Sequence, residues 1–364
     1  MLCALESFVS IRPRFEMAQV ELLSWTSLLH AESTAHNTKD KLLALGSGPD
    51  KIQKRGFQIP DPFAQRGAER EIYTPPSGLG MKERMQFFDR ETLRFFEAFY
   101  PEMSLLPAHL IHVTCTGYVA PSPAQQIVSL RLAKETLVTH AYHMGCYAAI
   151  PAIRIAAGAL ALAPSPTSVV DIVHTEMCSL HLNPMDHSTE QLVVQSLFAD
   201  GFIKYSATRK MRAPCLQVLA LHEEILPESL DQMTWRCEEI CHAMTLSKKI
   251  PLLLSNALEG FFSRLVQKTD LDEEKIKTTG YFAIHPGGPK IIEYIVQKFH
   301  LKRAQVSHSH GVMQEYGNMS SATLPHIWEK MLQDTHLEEG AFIVSFAFGP
   351  GLTLAGALFQ KGET

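Results

Sequence analysis

The stretch from His143 to Leu162 constrains the chain most. It opens with Gly145-Cys146 and continues as a run of small, apolar, helix-favouring residues with Arg154 in its middle. An arginine at a helix centre is costly in lipid, so the run reads as a helix buried in a large soluble domain and not as a membrane span. Pro151 is expected to cost one backbone hydrogen bond and to distort the second turn. A glycine before a cysteine that starts a helix suggests a sharp turn presenting a thiol. At a helix N-terminus the unpaired N–H groups and the dipole favour the thiolate. The same residues also suit an ordinary buried cysteine in a core helix.

Around this stretch, strands and helices alternate, which argues for α/β layers. Strands are expected over 2–11, 110–115, 168–174, 201–207, 215–222 and 281–284. Helices are expected over 18–30, 37–45 (Thr38 at its start, Gly46 and Gly48 at its end), 81–100, 124–132, 191–198, 245–267, 289–299 and 323–333. Two apolar strands, 341–348 and 352–359, flank Gly349-Pro350-Gly351 as a hairpin. Residues 46–80 are charged and turn-rich and read as surface. With 364 residues, 46% of them apolar, the chain can hold two domains or two fused halves sharing a core. Two α/β halves meeting near residue 210 fit the alternation.

The net charge of −5 leaves no basic footprint for nucleic acid, and no Lys/Arg block suggests a membrane surface. Residues 1–15 lack the charged head and long apolar segment of a secretory signal. The odd number of cysteines, seven, then reads as reduced thiols in a cytoplasmic protein. Cys237, Cys241 and His242 fall short of a zinc pattern and read as one face of a helix, so no metal is expected.

Three residues carry chemistry at element ends, where active sites collect in layered folds. Cys146 opens a helix, His285 ends a strand before Pro-Gly-Gly-Pro, and Asn318 sits in a polar turn before a helix. A thiol, an imidazole and a carboxamide can perform acyl transfer: the thiolate attacks a thioester carbonyl, the imidazole stabilises the ion pair, and the His and Asn donors hold an oxyanion. Taken singly, His285 is one of seventeen histidines and Asn318 can be a helix cap.

Four ordered motifs join the three. His-Met-Gly-Cys-Tyr-Ala-Ala, Ile-His-Pro-Gly-Gly-Pro-Lys-Ile-Ile, Glu-Tyr-Gly-Asn-Met-Ser-Ser-Ala and Ala-Phe-Gly-Pro-Gly-Leu-Thr resemble those of type III polyketide synthases, the chalcone synthase superfamily, from about residue 1 to 360. The resemblance implies an α/β thiolase-like fold, two fused αβαβα halves forming a five-layered core. Residues 1–210 would carry the nucleophile and 211–364 the histidine and asparagine, in a homodimer. It implies Cys146, His285 and Asn318 as the catalytic set and Phe198, in Ser-Leu-Phe-Ala-Asp-Gly, as the aromatic neighbour. It further implies a cycle without a resident cofactor. An acyl starter moves from coenzyme A or a carrier protein to Cys146. Malonyl-CoA is decarboxylated with His285 and Asn318 polarising its carbonyl, and the enolate extends the acyl chain. Repetition and cyclisation give an alkylpyrone, an alkylresorcinol or a related product.

The chain departs from the plant members in ways that resemble the bacterial branch. Cys115, Cys178 and His181 stand at cavity positions that are Thr there. Ala120 replaces the Met that crosses the dimer, and Leu246 replaces a second pocket aromatic. These smaller side chains would leave room for an alkyl chain, while His181 adds polar bulk. The plant coenzyme A contacts do not fall on basic residues here, and Lys54 and Arg55, with Lys39, Lys41 and Lys51, are the nearby candidates. Three alternatives stand beside this reading. One is a single-condensation enzyme similar to the ketoacyl synthase III group. The second is a non-catalytic partner subunit of the same fold. The third is a cysteine hydrolase of unrelated fold, which leaves the hairpin unexplained.

Overall fold

The computed structural model describes residues 2–34, 37–45, 47–212 and 214–362; Gly46 lies outside them. The first part of the chain forms β1 (Cys3–Ile11), β2 (Phe15–Ala18), α1 (Gln19–Thr34), α2 (Lys39–Leu45), β3 (Lys54–Phe57), α3 (Met81–Phe99), β4 (His109–Thr114), α4 (Pro123–Leu130), β5 (Leu137–Tyr142), α5 (Ala149–Leu162), β6 (Val169–Met177), α6 (Thr189–Leu197) and β7 (Asp200–Thr208). The second forms β8 (Leu216–Ile225), β9 (Met233–Cys237), β10 (His242–Leu246), α7 (Ile250–Val266), α8 (Glu273–Thr279), β11 (Tyr281–Ile284), α9 (Pro289–Phe299), α10 (Ser307–Tyr316), α11 (Thr323–Gln333), β12 (Phe342–Gly349) and β13 (Thr353–Lys361).

Among the described residues the main strands bond in the order β11-β12-β13-β8-β1-β7-β6-β4-β5. The two parts repeat one pattern. β4 runs parallel to β6, which pairs antiparallel with β7, and β7 with β1. β11 runs parallel to β12, which pairs antiparallel with β13, and β13 with β8. The repeats join where Cys3–Leu5 pairs with Leu216–Val218.

Two helices lie between the half-sheets. α5 packs on β4, β6 and β7 of one half and on β13 of the other, while α11 packs on β1, β7 and β11. α3 covers the outer face of the first half and α7 that of the second, which completes five layers. Small residues let α5 approach strands on both sides: Ala149, Ala152 and Ala156 are fully buried. Arg154 lies on the helix's exposed edge and reaches Glu223 of β8 at 3.1 Å. Pro151 falls in the first turn, where a backbone N–H has no partner within the helix, so it neither removes a bond nor bends α5.

Other local expectations change. Cys237 and Cys241 are not on a helix. They belong to the β9–β10 hairpin, where Cys237 is exposed, opposite His242, and Cys241 is buried in the turn. Alternation of Met233 and Trp235 with partly exposed neighbours is the strand signal there. β5, α8 and α10 were not expected; β5 is a half-exposed edge strand with little apolar contrast. Asn37 rather than Thr38 caps α2, its Oδ1 accepting from Lys39 N at 3.0 Å, while the Thr38 hydroxyl is buried without a partner.

Candidate active site

Cys146 lies in the turn Gly145–Ala148 that feeds α5. Gly145 has φ +81°, and a Cβ there would meet Pro350 at 2.8 Å. A Cβ on Gly349 would fall 2.3 Å from the Tyr147 ring. The β12–β13 turn is therefore seated on the cysteine turn, and both glycines are required by close approach.

Asn318 precedes α11 as Cys146 precedes α5, so the two central helices deliver both residues to one place. The chain at Asn318 is fixed by a bridge to the α6–β7 junction: its N–H donates to Leu197 O at 3.0 Å and its carbonyl accepts from Ala199 N at 2.8 Å. This brings Phe198 beside Asn318, partly buried in an apolar cluster that also includes Leu197 and Leu246. Asn318 Oδ1 accepts from Ser320 N at 2.9 Å. Its Nδ2 is buried and completes no hydrogen bond, yet the amide stands near enough to favour the Cys146 thiolate.

His285 follows β11, its N–H donating to Phe346 O of β12 at 2.8 Å, three residues before the Gly349 turn. The ring is 1% exposed and neither nitrogen has a partner in the protein. Burial pushes its pKa down to about 3, so the imidazole is neutral across the physiological range. Unpartnered buried donors are rare enough to mark a functional site. Three such nitrogens on His285 and Asn318 suit an oxyanion that forms only during reaction.

The thiol behaves differently from the expectation of a lowered pKa. Burial pushes Cys146 up to about 12; Ser320 lowers it, the Glu176 carboxylate raises it, and the Asn318 amide lowers it. Cys146 lies three residues ahead of α5 and is 6% exposed, so desolvation outweighs the helix end. The resting pair is thus a thiol and a neutral imidazole. We expect iodoacetamide at pH 7.5 to label the exposed Cys237 before Cys146, with Cys146 labelling accelerating as pH rises. Peptide mass mapping that finds Cys146 modified first would contradict this.

Cys115 closes β4 with its Sγ 3.0 Å from Ser320 Oγ. Cys178 is buried within the field of Glu176, Cys115 and Cys146. His181 is not a free polar wall. Its Nε2 bonds Thr116 O at 2.8 Å, its Nδ1 accepts from His242 N at 3.0 Å, and the ring stacks on His242 at 4.4 Å. Ala120 is exposed in the loop before α4, away from the thiol in this chain. The basic candidates are occupied as well. Arg55 is 2% exposed and not surface: it donates to Gln19 Oε1 at 2.7 Å, Gln195 O at 2.9 Å and Phe198 O at 2.7 Å. Lys54 pairs with Glu16 at 2.7 Å and Lys51 with Glu293 at 3.3 Å.

Sequence reasoning missed Ser320 and Glu176. Ser320 has φ +49°, a left-handed backbone unusual for a non-glycine residue, and its Oγ is shared by the sulfurs of Cys146 and Cys115. Glu176 is fully buried and accepts from Cys115 N at 3.0 Å, Thr116 Oγ1 at 2.9 Å and the Ser321 hydroxyl. A glutamate inside an apolar strand was the available signal.

A duplicated five-layer α/β core with a buried thiol at a central helix and an unpartnered asparagine beside it defines a condensing enzyme of the thiolase fold. Residues 217–361 match the C-terminal domain of chalcone and stilbene synthases. A 3,5-dihydroxyphenylacetyl-CoA synthase of Amycolatopsis balhimycina is 30% identical over 69% of this chain and 67% of its own length. A probable polyketide synthase of Dictyostelium discoideum is 30% identical over 70% of this chain, which spans 8% of that protein. Among solved structures, the C-terminal type III polyketide synthase domain of the Dictyostelium hybrid Steely1 superposes with a TM-score of 0.83 at 23% identity, covering 99% of both chains. The 1,3,6,8-tetrahydroxynaphthalene synthase of Streptomyces coelicolor gives a TM-score of 0.81 at 21% identity, covering 99% of this chain and 100% of its own. The chain belongs to the type III polyketide synthase family, transferases that form carbon–carbon bonds. No helix among the described residues is long and apolar enough to cross a membrane.

Proposed function

We propose that this chain loads an acyl group from coenzyme A, or from a carrier protein, onto Cys146. It then extends that group with malonyl-CoA by repeated decarboxylative condensation, with cyclisation to an alkylpyrone, an alkylresorcinol or a related ring. The observation that carries this reading is the buried thiol beside an asparagine whose amide has no partner, with a neutral, wholly unpartnered imidazole on the adjoining half. His285 and Asn318 polarise the malonyl thioester and hold the enolate oxygen as carbon dioxide leaves. Phe198 offers an apolar wall that disfavours the carboxylate. Residues 1–210 supply the nucleophile and 211–364 the other two groups. The cycle uses coenzyme A thioesters as substrates and no resident cofactor or metal. A cytoplasmic setting suits the seven free cysteines.

The test is product mass after incubation with malonyl-CoA and a panel of acyl-CoA starters. Products carrying two or more added acetate units, less the water lost on cyclisation, are expected. A single extension without a ring would favour the ketoacyl synthase III reading, and no product from any starter would remove the assignment.

We also propose a homodimer. β5 ends the sheet with one side unpaired, and Tyr118 beside it is 72% exposed. An open sheet edge flanked by an exposed aromatic invites a second copy. Gel filtration should give about twice the chain mass of 40.6 kDa; a clean monomer would overturn the dimer.

A further inference from the structure

The resting thiol holds its proton, so loading the starter needs an acceptor. The obvious one, His285, makes no hydrogen bond to the sulfur or to anything else in the protein. A different path is continuous. Cys146 Sγ lies 3.7 Å from Ser320 Oγ. Ser320 Oγ lies 3.0 Å from Cys115 Sγ. Cys115 Sγ donates to Glu176 Oε2 at 3.5 Å. Hydroxyl and thiol groups each accept one hydrogen and donate another, so both links can pass a proton onward.

We propose that Glu176 receives the Cys146 proton when the starter is loaded, reached through Ser320 and Cys115. The inference rests on the acyltransferase reading above. As Cys146 attacks the thioester carbonyl, its S–H proton moves to Ser320 Oγ. The Ser320 hydroxyl proton moves to Cys115 Sγ, and the Cys115 proton to Glu176 Oε2. The new C–S bond forms, the bond to the coenzyme A sulfur breaks, and the proton returns along the same path to the departing thiolate. Acyl-Cys146 and free coenzyme A thiol result, and the carboxylate is reset.

The surroundings of Glu176 suit an acceptor. It is fully enclosed, and burial raises its pKa against the hydrogen bonds that lower it. The titratable groups facing it are Cys115, Cys146, Cys178 and Asp200, with His174 behind Ser321. No Lys or Arg is among these partners, so the carboxylate is not locked in an ion pair. The left-handed backbone of Ser320 holds its hydroxyl between the two sulfurs.

Glu176 acting by charge alone would have the opposite sign, because a nearby carboxylate opposes the Cys146 thiolate. That difference makes the proposal testable. Single-turnover acylation by hexanoyl-CoA is followed by intact-protein mass from pH 5.5 to 9. Wild-type protein must load first; failure to load with any starter would count against the acyltransferase reading, not the relay. Given loading, Cys115→Ala and Glu176→Gln should each slow it about tenfold or more, within the span of general-base effects. Cys115→Ser should restore most of the rate, since a hydroxyl also passes a proton. The acid-side fall of the wild-type profile should vanish in Glu176→Gln. Loading of Glu176→Gln at or above the wild-type rate would overturn the relay, as would an undiminished Cys115→Ala. Should Glu176→Gln fail to fold, the Cys115 pair decides alone.

Discussion

Changing His285 to alanine should slow carbon dioxide release from malonyl-CoA about 10²- to 10³-fold, the range for losing an oxyanion donor. Both ring nitrogens are buried and free of protein partners, so no internal hydrogen bond is broken by the change. The loss would therefore report on the reacting carbonyl and not on a disrupted fold. A pKa pushed down to about 3 keeps the ring neutral. It donates N–H without carrying charge, and wild-type decarboxylation should show no acid limb from this residue between pH 5 and 8. Release within a few-fold of wild type in His285→Ala would remove His285 from the reaction.

Cys146→Ala should separate the two half-reactions. No acyl-enzyme would form and no extended product would appear, while carbon dioxide would still leave malonyl-CoA, since the enolate donors remain. The substitution removes one sulfur from a wall already built of Ala148 and Ala149, so the fold should tolerate it. Intact-protein mass and labelled carbon dioxide release read the two halves independently. Product at the wild-type rate would mean that Cys146 is not the nucleophile, as a partner-subunit role would require. Loss of both activities would mean that the thiol also shapes the malonyl site.

The sequence by itself determined where the reactive groups stand along the chain. Gly145-Cys146, His285-Pro-Gly-Gly-Pro and Gly317-Asn318 each join an element to a turn, and turn chemistry is local, so it is legible in order. The α/β alternation and the Gly349-Pro350-Gly351 hairpin were legible for the same reason. The β9–β10 hairpin and the edge strand β5 were not, because partly exposed strands carry weak apolar contrast. Only the tertiary structure decided that Arg55 is buried and that Ser320, Cys115 and Glu176 adjoin the nucleophile. It also decided that the resting cysteine is a thiol. The physical reason is common to all of these: desolvation depends on how many layers close over a group. That is settled by residues hundreds of positions apart, and here the enclosure between two half-sheets outweighs the pull of a helix end.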